Sequence, residues 1–148
     1  EEHIDFLETQ IDLIDRVVRL SEPPVRVVMV PQPRVAAVAA TAGRNELIRF
    51  AQQTAFARCP VYGNRRSQII GVVKVDELLR SDDWRTVGER LSPVTTLRPQ
   101  ETVASAIAHI RQGGGEFGVV TDQTGQMIGV VTLRDLLEEV VGEFGPGV

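Results

Sequence analysis

The sequence predicts an α/β fold built from two copies of one β-α-β-β-α unit that pack on each other, preceded by an amphipathic helix. Three observations lead there: the chain repeats itself at a fixed offset, its strand cores are unbroken Val/Ile runs of the kind covered on both faces, and its first residues keep apolar side chains at helical spacing. The repeat is direct. Ile69-Ile70-Gly71-Val72-Val73-Lys74-Val75-Asp76-Glu77-Leu78-Leu79 returns 58 residues later as Met127-Ile128-Gly129-Val130-Val131-Thr132-Leu133-Arg134-Asp135-Leu136-Leu137. Leu47, Ile48 and Ala51 return 59 residues later as Ala106, Ile107 and Ile110, so the loops that follow differ by one residue.

Taken in order, residues 1–20 place Ile4, Leu7, Ile11, Ile14 and Val18 on one helical stripe and Glu1, Glu2, Asp5, Glu8, Asp12 and Asp15 on the wet face. Ser21-Glu22-Pro23-Pro24 ends that helix, which reads equally as a connector from a preceding domain or as a lid on the core. Each unit then opens on an extended segment (Val35 to Ala39; Val94 to Leu97) followed by a helix (Arg44 to Thr54; Thr102 to Gln112). A strand comes next (Pro60 to Tyr62; Phe117 to Thr121), then a turn, a second strand and a second helix. The turns, Gly63-Asn64-Arg65-Arg66-Ser67 and Asp122-Gln123-Thr124-Gly125, are rich in residues that accept positive φ or bond their own backbone, which predicts hairpins. A unit of ~55 residues buries too little apolar surface to stand alone, so the two are expected to cover one another.

Composition narrows the function. Of 148 residues 43% are apolar and 24% charged, which suits a globular chain and not a disordered or collagenous one. The net charge is −4, and the basic residues are dispersed arginines plus the single Lys74, which is not the footprint of a nucleic-acid surface. One cysteine, Cys59, and two histidines, His3 and His109, supply neither an internal disulfide nor a zinc ligand set, and the expected compartment is reducing. No run approaches the ~20 apolar residues of a membrane span. A chain that begins at Glu1 and ends Gly145-Pro146-Gly147-Val148 reads as a soluble piece cut from a longer protein.

The chemistry concentrates in Gly129-Val130-Val131-Thr132-Leu133-Arg134-Asp135, where a buried strand runs straight into a helix. One reading is structural: Thr132 as N-cap with Asp135 three residues on is a capping box. The other uses the same geometry for binding, since a helix N-terminus favours phosphate while Thr132 and Asp135 bond phosphate and sugar hydroxyls. The first copy has Lys74 and Glu77 at the matching positions, so the halves are not equivalent.

These residues carry a resemblance. The doubled unit, the Gly-Val-Val strand entering Thr-x-x-Asp, and the strand Arg58-Cys59-Pro60-Val61-Tyr62 resemble a tandem pair of cystathionine-β-synthase-type (CBS) domains, a Bateman module. More narrowly, Val28-Met29-Val30-Pro31, the Arg-x-Pro-Val-Tyr strand and Asp135-Leu136-Leu137-Glu138-Glu139-Val140-Val141-Gly142-Glu143-Phe144 resemble the hemolysin C and CorC group of magnesium and cobalt efflux proteins, related to the cyclin M transporters. The resemblance implies a CBS pair with pseudo-twofold symmetry: a linker helix over residues 1–24, CBS domain 1 over 25–86 and CBS domain 2 over 87–148. It further implies a non-catalytic regulatory module on the cytoplasmic face of a membrane protein. Such a module would bind ATP or another adenosine nucleotide, with Mg²⁺ held through the phosphates, and signal to the transport domain of the same full-length protein. Arg58 would serve phosphate and base, Thr132 and Asp135 the ribose and phosphate end, and Phe56, Ala57 and Pro60 would line the pocket. The chain departs from the family's Met-Thr-Pro-Arg by Met29-Val30-Pro31-Gln32, losing a hydroxyl and moving a positive charge to Arg34. The related pocket, with Lys74 and Glu77 beside Phe117 and Gly118, is expected to be empty or to hold something else.

Other features read as structural. Gly113-Gly114-Gly115 follows a helix and is expected to terminate it, Arg65-Arg66 to be a solvated turn, Cys59 a buried small hydrophobe and His109 an exposed helix residue. Ile48, Leu78, Leu79, Leu136 and Leu137 are expected to stay incompletely covered in one chain and so to form a homodimer interface through the helices. Two rivals stand against nucleotide sensing: a dimerisation scaffold with a degenerate pocket, and a nucleotide hydrolase, for which the sequence offers no Walker-type loop or paired catalytic carboxylates.

Overall fold

The computed structural model describes Leu13 and residues 23–143. The helix expected over residues 1–20 therefore lies outside the described residues, except for Leu13, which is helical and exposed. The elements that follow are β1 (Val30–Pro31), β2 (Val38–Ala39), α1 (Arg44–Gln53), β3 (Arg58–Tyr62), β4 (Ile69–Lys74), α2 (Val75–Leu79), β5 (Thr95–Leu97), α3 (Val103–Gln112), β6 (Phe117–Thr121), β7 (Met127–Thr132) and α4 (Leu133–Glu143). From β2 onward this is β-α-β-β-α twice.

Local chemistry starts and stops these elements. Glu46 turns back from the first turn of α1 and its carboxylate accepts the Gly43 N–H at 2.6 Å, satisfying an amide the helix leaves free. Thr102 caps α3 by accepting the Ser105 N–H at 3.1 Å. The end of α3 is closed by Gly113, Gly114 and Gly115, whose amides donate to His109, Arg111 and Ile110 carbonyls, with Gly114 at φ +68°. That is the helix terminator expected of the triple glycine. Both hairpins carry a register shift at the matching place, between Val61 and Tyr62 and between Val120 and Thr121, so the repeat extends to its irregularities.

Two sheets result, β2-β3-β4 and β1-β7-β6-β5. In each unit the first strand is parallel to the second and the last two form the antiparallel hairpin. The added strand β1 comes from the leading segment of the chain yet pairs with β7 in the second half, Val30 opposite Val130 and Pro31 opposite Gly129. Gly129 is required there. A Cβ on it would lie 2.6 Å from both Met29 Sδ and the Val30 carbonyl oxygen, closer than any side chain permits. Ser92 bridges Val72 on β4 in the same fashion, so each half is edged by the segment that leads into the other.

Three apolar clusters hold the molecule. Leu47, Phe50, Val61, Val73, Leu78 and Trp84 fill the first half; Leu97, Val103, Ile107, Ile110, Val131 and Leu136 fill the second, joined by Val25. A third cluster, with Val35 and Val72 against Phe117, Val119, Met127 and Val130, glues the two halves. This is the mutual cover that small units need.

One expectation is corrected in part. Of the five apolar helix residues expected to stay incompletely covered, Leu78 and Leu136 are buried, whereas Leu79 is half-buried and Ile48 and Leu137 are exposed. Neighbours on a helix point about 100° apart, and on α4 the core takes Leu136 with Val140 while Leu137 and Val141 face outward. The Arg65-Arg66 turn is exposed, as expected. The Arg66 guanidinium lies over the Tyr62 ring at 5.6 Å and donates to the Val35 carbonyl at 2.8 Å.

Candidate functional site

Where the halves meet, the segment leading into β3, the start of β6, the end of β7 and the outer face of α4 surround a cleft of about 850 Å³. Its walls are held by matching backbone bonds. The Ala57 carbonyl accepts the Val75 N–H at 3.0 Å and the Glu116 carbonyl accepts the Leu133 N–H at 2.7 Å, so each helix start anchors the segment beside it. All six residues singled out from the sequence, Phe56, Ala57, Arg58, Pro60, Thr132 and Asp135, line this one cleft.

Thr132 caps α4: its Oγ1 accepts the Asp135 N–H at 3.0 Å. The cap uses a lone pair and leaves the hydroxyl proton available to a ligand. Among the described residues no donor bonds the Asp135 carboxylate and no acceptor takes the Arg58 guanidinium, and both line the cleft. Sequence reasoning missed Ala55, Glu116, Phe117, Val130, Leu133, Arg134, Leu137, Glu138 and Val141, which complete the lining. Helical spacing from Thr132 onward would have found four of them, since 134, 137, 138 and 141 share a face. At the rim Arg134 Nε donates to Glu138 Oε1 at 3.2 Å, an exposed pair of little energetic weight.

The cleft has apolar walls with few polar groups, the usual character of a small-molecule site. Its charges are Arg58 and Arg134 against Glu116, Asp135 and Glu138. Acids thus exceed bases by one, and a polyphosphate would enter more readily with a counter-cation. No group of three or more His, Cys, Asp or Glu able to hold a metal occurs among the described residues.

The related pocket of the first half is different. Only about 230 Å³ lies beside Lys74 and Phe117, below the common range for ligand sites, and the expected Glu77 and Gly118 do not line it. Lys74 Nζ stands instead 3.6 Å from a Glu77 carboxylate oxygen. Cys59 is fully buried, and burial pushes its thiol up to about 12, which removes it as a nucleophile. His109 is exposed as expected and pairs with Glu101.

Comparison with known proteins agrees with this architecture. The CBS domain family model matches residues 87–142. The solved structure of the CBS domain of a bacterial CNNM/CorC family Mg²⁺ transporter in complex with ATP is 27% identical, with a TM-score of 0.77 over 90% of this chain and 98% of that one. In architecture the chain matches a tandem CBS pair, and it is similar to those of the CorC/CNNM family. Its curated relatives include a UPF0053 protein of Synechocystis, 28% identical over 143 residues, and the magnesium and cobalt efflux protein CorC of Vibrio cholerae, 23% identical over 137. The CBS pair covers 93% and 90% of itself in these matches but only 31% and 47% of the relatives, so it spans about a third to a half of their length. None of its helices, among the described residues, is long and apolar enough to cross a membrane.

Proposed function

We propose that this CBS pair is a regulatory module that binds one adenosine nucleotide, as a Mg²⁺ complex, in the cleft between its halves and passes its occupancy to a membrane transport domain of the same protein. The observation that carries the reading is the convergence of Phe56, Ala57, Arg58, Pro60, Thr132 and Asp135 on one cleft of about 850 Å³, against about 230 Å³ at the related position. Phe56, Pro60 and Phe117 suit a base, Thr132 and Asp135 a ribose, and Arg58 the phosphates. A cation bound through the phosphates would offset their charge beside the surplus of one acid in the cleft. An ATP complex of a related CBS domain supports the ligand class. Signalling follows if the nucleotide binds one arrangement of the halves better than another.

Calorimetric titration with ATP, with and without Mg²⁺, tests this. The expected result is a single site that Asp135→Ala weakens more than Glu77→Ala. Two equivalent sites, or silence of both substitutions, would overturn the assignment. Absence of any binding would favour the rival scaffold with a degenerate pocket, and conversion of ATP to products would favour a hydrolase. The module is further proposed to form a homodimer through its helices, for which the exposed Ile48 on α1 provides apolar surface outside the nucleotide cleft. Light scattering at tens of micromolar tests the dimer, and Ile48→Arg is expected to shift it toward monomer.

A further inference from the structure

A groove of about 450 Å³ lies on the first half, between the edge strand β2 and one face of α1, and shares no lining residue with the nucleotide cleft. Its donors are unusually free. Arg49 projects from α1, and no carboxylate or carbonyl pairs with it among the described residues. Arg66 stands in the β3–β4 turn, held over Tyr62 at 5.6 Å and bonded once to the Val35 carbonyl, which leaves most of its five N–H groups unused. The backbone of Ala36 and Ala37 borders the same groove, and neither amide has an acceptor among the described residues. The sole acid in the lining, Glu46, already takes the Gly43 N–H at 2.6 Å.

Two guanidinium groups from different elements, two unpartnered amides and one occupied carboxylate make a setting for acceptor oxygens. The floor of Phe50 and Tyr62 adds apolar contact. A strand of two residues, Val38–Ala39, is too short an edge to recruit an extended peptide, which favours a compact ligand. We propose that this groove binds a small oxyanion-bearing ligand, a phosphate or carboxylate compound, between Arg49 and Arg66. The site bears on the joint between halves, because Ser67, next to Arg66, accepts the Met127 N–H of β7 at 2.6 Å.

The test is a two-dimensional amide NMR titration of the chain with sodium phosphate and, separately, sodium succinate, against sodium chloride at matched ionic strength. Saturable shifts at Ala36, Ala37, Arg66 and Ser67 with phosphate or with succinate are expected, and the anion that saturates identifies the source. Arg49→Gln, an exposed substitution that leaves the core intact, is expected to weaken binding roughly tenfold, as loss of charge-assisted hydrogen bonds does. Arg49→Lys retains part of the affinity and Asp135→Ala leaves it unchanged. Shifts equal to those with chloride, no saturation below about 10 mM, or binding that survives Arg49→Gln would overturn the proposal.

Discussion

Thr132→Ala separates the two roles that one hydroxyl plays at the cleft. The oxygen accepts the Asp135 N–H at 3.0 Å, and losing such a cap costs about 1 kcal/mol whether or not a ligand is present. For a chain of this size that lowers Tm by about 2–4 °C. The proton of the same hydroxyl is not spent on the cap, and a hydrogen bond from it to bound nucleotide is worth about 1 kcal/mol, or roughly a fivefold change in Kd. With ATP well above Kd, stabilisation follows the logarithm of concentration over Kd, so the mutant loses that second ~1 kcal/mol only in the presence of ligand. Thermal melts with and without Mg-ATP should therefore show a drop of about 2–4 °C in the free protein and about 4–8 °C in the complex. Equal drops in both would leave Thr132 a cap and nothing more.

Neighbouring leucines on α4 should behave oppositely: Leu136→Ala is expected to cost about 2–5 kcal/mol in urea unfolding because its side chain is fully buried, while Leu137→Ala, exposed at the cleft, should stay within about 1 kcal/mol. Gly129→Ala would press a Cβ against Met29 and the Val30 carbonyl, so loss of amide protection at Val30, measured by hydrogen exchange, is expected with a destabilisation of about 1–3 kcal/mol. Asp122 closes the β6–β7 turn by accepting the Thr124 hydroxyl at 2.6 Å, foremost, and the Thr124 and Gln126 amides, which hold its carboxyl below the usual carboxylate range. A folded-state value below the unfolded one means that its contribution is complete above the ordinary aspartate range and is lost as pH falls through the folded value. Stability measured from pH 7 to pH 2 should thus fall less steeply in Asp122→Asn than in the parent, and identical slopes would contradict the turn's role.

Much of this was written in the chain order. The repeat at 58 residues, the hairpin turns and the caps are local facts, set by side chains that bond or strain backbone within a few positions, and each unit's strand and helix sequence follows from them. Even the lining of the cleft was partly legible, because a strand that runs into a helix at Thr132 has to present that helix N-terminus at the sheet edge. Tertiary structure alone decided the rest, for reasons of packing. Val30 carries no mark that sends it to β7 of the other half; Gly129 and the sulfur of Met29 make room for it there. Leu136 and Leu137 are the same residue to any sequence rule, and only the position of the second core relative to α4 buries the first and leaves the second at the cleft. Nor do Arg49 and Arg66 announce a common groove, since α1 and the β3–β4 turn are brought together by the fold of β2 against β3.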